Sequence, residues 1–361
     1  MQKLLYITTN LNDSGGVSRI LSVKLNALAK DFGYEVCIIN TKGNLSSMFY
    51  HFDKKIQIVS LPKSKSNIIN IATYRKKLKR AINNFNPDIV VNCDNGFKAS
   101  ILPYLIKGKK PLIYERHCSR NIKSGTKIET LKFILSNWLL DFSFGKYNSV
   151  VVLSDYAKQE WNYNNIKVIS NPLWFKQPIM QSSLNDNVAI AVGRLAYEKG
   201  YDNLLKIWKI VNEKHTDWIL KIYGEGDSSQ LKKLAKAFNI QSNVQFFKPI
   251  KDIERIYLNA SMLLNTSSSE AFGLTLIEAM SYGLPVISFE NTLGAKQNIV
   301  NNNNGFLIEE NNLTAYANKI IWLIENKQEK QRVSENAVES VKNYDFEAIM
   351  MQWHNLFQSL I

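Results

Sequence analysis

The stretch SMLLNTSSSEAFGLTLIEAMSYGLPVISF, Ser261–Phe289, settles the fold class of this chain. It opens on a short apolar run, SMLLN, and passes through the polar loop TSSSEAFG. The helical run TLIEAMSYG follows, stopping at Gly283, and a second apolar run, LPVISF, comes at once. Strand, loop, helix and strand in that order form a crossover between two parallel strands, each buried on both faces. Two glutamates, Glu270 and Glu278, bracket the start of the helix. The helix N-terminus falls near Gly273–Thr275, so its first free N–H groups offer an anion site above the sheet. Two readings of the glutamates stand. They are a helix-terminal charge and a solvated helix position, or they hold hydroxyls of a ligand whose phosphates rest on the amides of Leu274 and Thr275.

The same alternation extends outward in both directions. KLLYITT, YEVCIIN, DIVVN, KPLIY and YNSVVVL read as one set of strands, and NVAIAVG, DWILKIYG, NVQFF, SMLLN and LPVISF as a second. Helical patterns intervene, among them VSRILSVKLNALAKDFG, which ends on Gly33 where a left-handed residue is needed. The pattern restarts after NIKVISNPLWFKQPIMQSSLNDN, a segment with Pro172, Pro178 and a polar cluster. The expected product is α/β: two Rossmann-like domains with parallel sheets facing a central cleft, where ligands lie at the carboxyl ends of the strands. The boundaries expected are 1–172, 173–345, and a C-terminal helix, 346–361, returning to the N-terminal domain.

At 361 residues, 45% hydrophobic and 21% charged, the chain has material for two cores. Asn301–Asn304 reads as a turn. Three scattered cysteines, Cys37, Cys93 and Cys118, argue for a reducing, cytoplasmic compartment and against a disulfide framework. The N-terminal apolar run LLYI is too short for a signal segment. The richest apolar stretch, KIETLKFILSNWLLDFSF, is interrupted by Lys132, Ser136, Asn137 and Asp141, so it does not read as a membrane span. The net charge of +14 is one-sided. Residues 1–172 hold 26 Lys and Arg against 11 Asp and Glu, whereas the rest holds 19 against 20. Such asymmetry points to an anionic partner or surface met by the first half.

Further motifs lie at strand ends. In AVGRLAYEKGYDNLL, Arg194 and Lys199 occupy the loop between a strand ending at Gly193 and a helix starting near Tyr201. Together they can clamp a diphosphate, Arg as a planar fork and Lys as a point charge; alone they also fit a solvated turn. Gly15 and Gly16 in NLNDSGGVSRIL allow close backbone approach at another helix N-terminus, although neither a P-loop nor G-x-G-x-x-G is present. Gly224 and Gly226 in KIYGEGDSSQLKKLA read as a close-approach loop near a base or ribose, or as an ordinary turn. Glu115, Arg116 and His117 end a strand in the first half. Asp-x-Asp, Cys/His clusters and G-x-S-x-G are missing from the sequence, so no metal and no serine nucleophile are expected.

Taken together these motifs resemble a known family. GG near the first strand, GRL…EKG, YGEG, and E-AFGLTLI-E followed by A-M-x-x-G-x-P-V resemble the retaining glycosyltransferases of family 4, and NNNNGFLI resembles their closing Asn-Gly-Phe-Leu stretch. The resemblance implies the two-Rossmann GT-B fold, no cofactor, and a nucleoside-diphosphate sugar, UDP-linked, as donor. It implies that Glu270 hydrogen-bonds the donor hexose and that Glu278 holds the ribose hydroxyls. It further implies that Arg194 and Lys199 neutralise the leaving diphosphate, assisted by backbone at Gly15, Gly16, Gly224, Phe272, Gly273, Leu274 and Thr275, with His117 beside the donor sugar. Departure of the diphosphate onto fixed cations and amides needs no metal ion. Where the family often carries Gly-Pro-x-Glu, this chain reads Gly294-Ala295-Lys296-Gln297, which leaves the donor sugar open.

The resemblance also assigns the acceptor to the basic N-terminal half, which points to a glycan or lipid-diphosphate-linked glycan in capsule, O-antigen or other surface-polysaccharide synthesis. In NIINIATYRKKLKRAINNF, Ile71, Leu78, Ile82 and Phe85 form a stripe opposite Arg75, Lys76, Lys77, Lys79 and Arg80. That is the profile of an interfacial helix on anionic lipid at the inner face of the cytoplasmic membrane, and equally of a solvated surface helix. A non-catalytic GT-B partner subunit and a sugar-nucleotide epimerase are the rival functions. No nucleic-acid partner is expected, since no aromatic-interleaved RNA motif or helix-turn-helix accompanies the charge.

Overall fold

The computed structural model describes residues 1–41, 48–61, 71–95, 97–106, 110–120 and 127–361. Its chain divides into two compact units. Unit 1 comprises Met1–Arg120, Lys127–Trp174 and Phe346–Ile361; unit 2 comprises Asn121–Thr126 and Phe175–Asp345.

In unit 1 the order is β1 (Lys3–Thr8), α1 (Gly16–Lys30), β2 (Glu35–Asn40), β3 (Gln57–Ser60), α2 (Ile71–Phe85), β4 (Ile89–Asn92) and α3 (Phe97–Leu105). There follow β5 (Leu112–Glu115), α4 (Lys127–Phe144), β6 (Ser149–Val152), α5 (Asp155–Gln159) and β7 (Ile166–Val168). Unit 2 continues with β8 (Val188–Val192), α6 (Tyr201–Asn212), β9 (Ile219–Tyr223), α7 (Ser229–Ala237), β10 (Val244–Phe247), α8 (Glu254–Leu258) and β11 (Met262–Asn265). It closes with α9 (Leu274–Ser281), β12 (Val286–Phe289), α10 (Leu293–Asn298), β13 (Phe306–Ile308), α11 (Leu313–Glu325) and α12 (Lys327–Ser340); α13 (Phe346–Gln358) then packs into unit 1.

Each unit holds one parallel sheet. The seven-stranded sheet runs β3-β2-β1-β4-β5-β6-β7, and the six-stranded sheet β10-β9-β8-β11-β12-β13. Both reverse direction beside their first strand, the doubly wound arrangement that gathers loops at the carboxyl edge. Leu4, Leu5, Ile7, Val91, Ile113 and Val150 of the central strands are fully buried, as continuous apolar runs in a covered parallel sheet require. In unit 2, Leu204, Leu205 and Trp208 of α6 lie in the core with Leu220, Ile222 and Tyr316. Three strands escape the pattern reading: β3, β7 and β13. Each ends a sheet and is three or four residues long, too short to show a period.

Among the described residues no helix is long and apolar enough to cross a membrane. The basic helix α2 differs from its interfacial reading. Leu78, Ile82 and Phe85 are buried in unit 1, so the stripe needed to enter lipid is already spent on the core; Lys76, Lys79 and Arg80 remain on the exposed face. Asn67–Asn70 and the side chain of Ile71 lie outside the described residues.

Unit 1 is pinned internally by a buried ion pair. Lys24 stands in the apolar stripe of α1 with Leu21, Leu25 and Leu28, and its ammonium bonds both oxygens of Glu115 at the end of β5. The ring of Trp353 on α13 covers that ammonium with its centroid 3.9 Å away. Burial raises the Glu115 carboxyl, but Lys24 and then His117 outweigh it and hold the group at about 2. A folded value below the ordinary carboxylate range makes the pair stabilising above pH ~4.3, with that contribution lost as pH falls towards 2. Lys24→Met should cost about 3–5 kcal/mol, because it strands a buried charge. Urea unfolding at pH 7 and at acid pH checks both statements, and a loss below about 1 kcal/mol at pH 7 removes the pair from its central place.

Candidate active site

The loops at the carboxyl edge of the second sheet are fastened to one another by main-chain contacts. After β8 the chain passes through Gly193–Leu195, makes a 3-10 turn at Tyr197–Lys199, and enters α6 from Gly200, whose φ is 62°. A Cβ at Gly200 would stand 2.4 Å from the Thr266 carbonyl oxygen. Thr266 Oγ1 donates to the carbonyls of Lys199 (3.0 Å) and Gly200 (3.1 Å), and the Ser268 amide donates to the Glu198 carbonyl (2.8 Å). The polar run after β11 is therefore the dock for the EKG turn. Docking brings Lys199 Nζ to 2.6 Å from Glu270 Oε2, both side chains about one-fifth exposed.

A second fastening explains Gly224. The Gly193 amide donates to the Tyr223 carbonyl (2.9 Å) and the Leu195 amide to the Glu225 carbonyl (2.7 Å). A Cβ on Gly224 would fall 1.8 Å from the Gly193 oxygen, and one on Gly226 2.8 Å from Leu195 Cβ. The glycines thus serve contact between two loops, a different reason from the close approach to a base or ribose read from sequence. Glycine 294 makes the same kind of approach. Its amide donates to the Glu270 carbonyl (2.9 Å), and a Cβ there would lie 2.6 Å from the Phe272 carbonyl carbon. The Nδ2 of Asn298, on α10, donates to the carbonyls of Phe272 and Gly294. The backbone on both sides of Glu270 is held by these bonds.

Helix α9 begins behind this loop from Gly273, at φ 80°. The amides of Leu276 and Ile277 turn back to the Gly273 carbonyl. Those of Leu274 and Thr275 have no acceptor among the described residues, and both residues are partly exposed. Phe272 is buried, edge-on to Tyr344. Glu278 faces inward; it is fully buried and accepts a hydrogen bond from Tyr257 Oη at 2.8 Å.

Not every expected residue joins the group. Arg194 is 60% exposed and paired with Glu198 at 2.7 Å, four positions away in its own loop. In unit 1 the N-terminus of α1 already has a carboxylate. Asp13 Oδ1 accepts from the Gly15 amide (3.1 Å) and from Ser18 Oγ (2.7 Å). That Asx turn shapes the chain just before the helix, whose N-cap, Gly15, makes no side-chain cap hydrogen bond. His117, also in unit 1, has its Nε2 3.2 Å from Glu115 Oε1, off the hydrogen-bond line. Cys93 Sγ, a Glu115 oxygen and a His117 nitrogen lie within 4.8 Å of one another. Lys24 already holds that carboxylate, and burial together with Glu115 pushes the Cys93 thiol well up, so the trio reads as part of the buried ion-pair network.

On the other side of the EKG turn an open pocket of about 230 Å³ lies between the first turn of α6 and the residues before α11, lined in part by Tyr197, Asp202, Phe289 and Glu310. Neither Lys199 nor Glu270 lines it.

Residues 174–340, which carry this loop cluster, match the family Glycosyl transferases group 1. A glycosyltransferase of Haemophilus influenzae, itself uncharacterised, is 30% identical over 99% of this chain and 100% of its own length. The chain belongs to the glycosyltransferases. An alpha-1,4-N-acetyl-D-galactosaminyltransferase of Campylobacter jejuni, named for a glycan acceptor on diphospho-undecaprenol, is 26% identical over 99% of this chain and 98% of its own. The pneumococcal O-GlcNAc transferase GtfA, solved with UDP and GlcNAc, superposes with a TM-score of 0.80 at 14% identity, covering 99% of each chain. The fold of this glycosyltransferase is GT-B, two parallel α/β units, and its activity is glycosyl transfer.

Gly224→Ala should lower unfolding stability by at least about 2 kcal/mol, since the added methyl meets a carbonyl oxygen rather than a yielding side chain. Urea denaturation measures it; a loss under about 0.5 kcal/mol would mean that the two loops separate freely.

Proposed function

We propose that this glycosyltransferase moves a hexose or N-acetylhexosamine from a UDP-sugar to a glycan carried on a lipid diphosphate, retaining the anomeric configuration, in surface-polysaccharide synthesis. The observation that carries the reading is the Lys199–Glu270 pair at the loop that leads into α9, whose first amides, of Leu274 and Thr275, have no acceptor among the described residues. A diphosphate is recognised by a fixed cation and the N-terminus of a helix together. The UDP in the GtfA structure supports the donor class, and the acceptor in the name of the Campylobacter jejuni relative supports a lipid-linked glycan.

In this mechanism the donor exchanges partners with the protein. Its diphosphate takes Lys199 and the two amides, which releases the Glu270 carboxylate to accept from hydroxyls of the sugar. Arg194, exposed and held only by Glu198, moves to the same diphosphate. Glu278 and Tyr257 underlie the ribose, the carboxylate accepting its hydroxyls. The bond from C1 to the phosphate oxygen breaks as the acceptor oxygen bonds C1 on the same face, and the acceptor proton passes to the departing diphosphate. Charge that develops on the diphosphate meets cations and dipoles already oriented, which is the economical way to lower such a barrier.

Glu270→Ala should reduce transfer by about 10²–10³-fold, with a loss of stability of about 1–3 kcal/mol that leaves the protein folded, since Lys199 is left unpaired at about one-fifth exposure. Product formation from UDP-sugars, followed by chromatography, measures this; undiminished turnover in the mutant ends the assignment. Transfer should persist in excess EDTA, and a strict requirement for added Mg²⁺ or Mn²⁺ would refute the metal-free route.

A further inference from the structure

Helix α4 is apolar on its outward face as well as its inward one. Leu131, Ile134, Leu135, Trp138 and Phe142 recur at the spacing of one helical face and are each 54–67% exposed. The face turned into unit 1 carries Asn137, Leu140, Ser143 and Phe144. Asn137 there accepts from Arg116 (3.2 Å) and donates to the Arg120 carbonyl (2.7 Å), so its inward position is fixed by hydrogen bonds and the helix cannot roll. The exposed stripe is continued by α3, whose Tyr104, 46% exposed, donates to the Phe142 carbonyl at 3.3 Å. Trp138 and Phe142 stack edge to face at 4.7 Å. A face of this size on a single helix marks an interaction surface.

Charge decides the occupant. Asp141 is neutralised by Arg120 at 2.7 Å, and the helix's other acidic residue, Glu129, is outnumbered in the sequence by Lys127 and Lys132. Lys146, just beyond the helix, reaches over the Tyr104 ring at 5.2 Å. The first 172 residues carry 26 basic side chains against 11 acidic ones. A second copy would bring two such positive halves together, whereas an anionic bilayer attracts one. We propose that the outward face of α4, with Tyr104, lies against an anionic lipid bilayer, its aliphatic side chains entering the acyl boundary and its Trp and Tyr rings at headgroup level. This role belongs to α4, whose stripe is free, rather than to α2, whose stripe is buried, and it does not depend on the transfer reaction.

Co-sedimentation of the full chain with vesicles tests it. The protein should pellet with phosphatidylglycerol–phosphatidylcholine vesicles and much less with phosphatidylcholine alone. Leu135→Ser combined with Trp138→Ser should weaken partitioning at least about tenfold. Its unfolding midpoint should hold, since both side chains are already more than half exposed. The inference is overturned if the protein stays in the supernatant, if it binds both vesicle types equally, or if the variant pellets like the parent. It is also overturned if light scattering shows a dimer that the variant dissolves, which would make a second copy the occupant.

Discussion

The main chain at the carboxyl edge of the second sheet runs so close to itself that no side chain could stand between its strands. The Gly193 oxygen occupies the place of a Cβ on Gly224, the Thr266 oxygen that of one on Gly200, and the Phe272 carbonyl that of one on Gly294. Three loops, following β8, β9 and β11, are thereby joined with α10 into one rigid rim. Hydrogen bonds alone would leave such loops free to part. Steric contact with backbone fixes their separation to a fraction of an ångström, and Lys199 meets Glu270 only because both ride on that rim.

The rim is also electrostatically complete before any donor arrives. Lys199 has Glu270 and Arg194 has Glu198. Unpaired charges in partly buried positions are costly, and internal counter-ions reduce that cost in the resting state. A ligand that brings both anionic oxygens and hydroxyls can replace them pair for pair. A group that offers only one kind leaves a cation or a carboxylate without a partner. The amides of Leu274 and Thr275 differ in having no acceptor among the described residues.

The two units divide their polarity differently. Unit 2 places its apolar residues around Trp208 and Tyr316 in the ordinary way. In unit 1, α2 buries its apolar stripe and shows its cations, whereas α4 buries Leu140 and Phe144 beside the Asn137 amide and also shows leucine, isoleucine, tryptophan and phenylalanine. Asn137 accepts from Arg116 and donates to the Arg120 carbonyl, which holds that orientation in place.

Much of this was legible in the chain. Apolar runs of four to six residues alternating with helical periods dictate two parallel sheets, and glycines at strand ends announce close approach. Edge strands β3, β7 and β13 were not legible, since three or four half-covered residues carry no period. Sequence placed Lys199, Glu270 and the start of α9 near strand ends, and it marked α2 as a basic amphipathic helix and the α4 stretch as the richest apolar run. Only the tertiary structure decided who pairs with whom. Lys24 and Glu115 lie 91 positions apart and Lys199 and Glu270 lie 71 apart. Side-chain periodicity is a property of a few neighbouring residues, whereas a counter-ion is chosen by the packing of whole elements, which also settled that α2 hides its apolar face and α4 shows it.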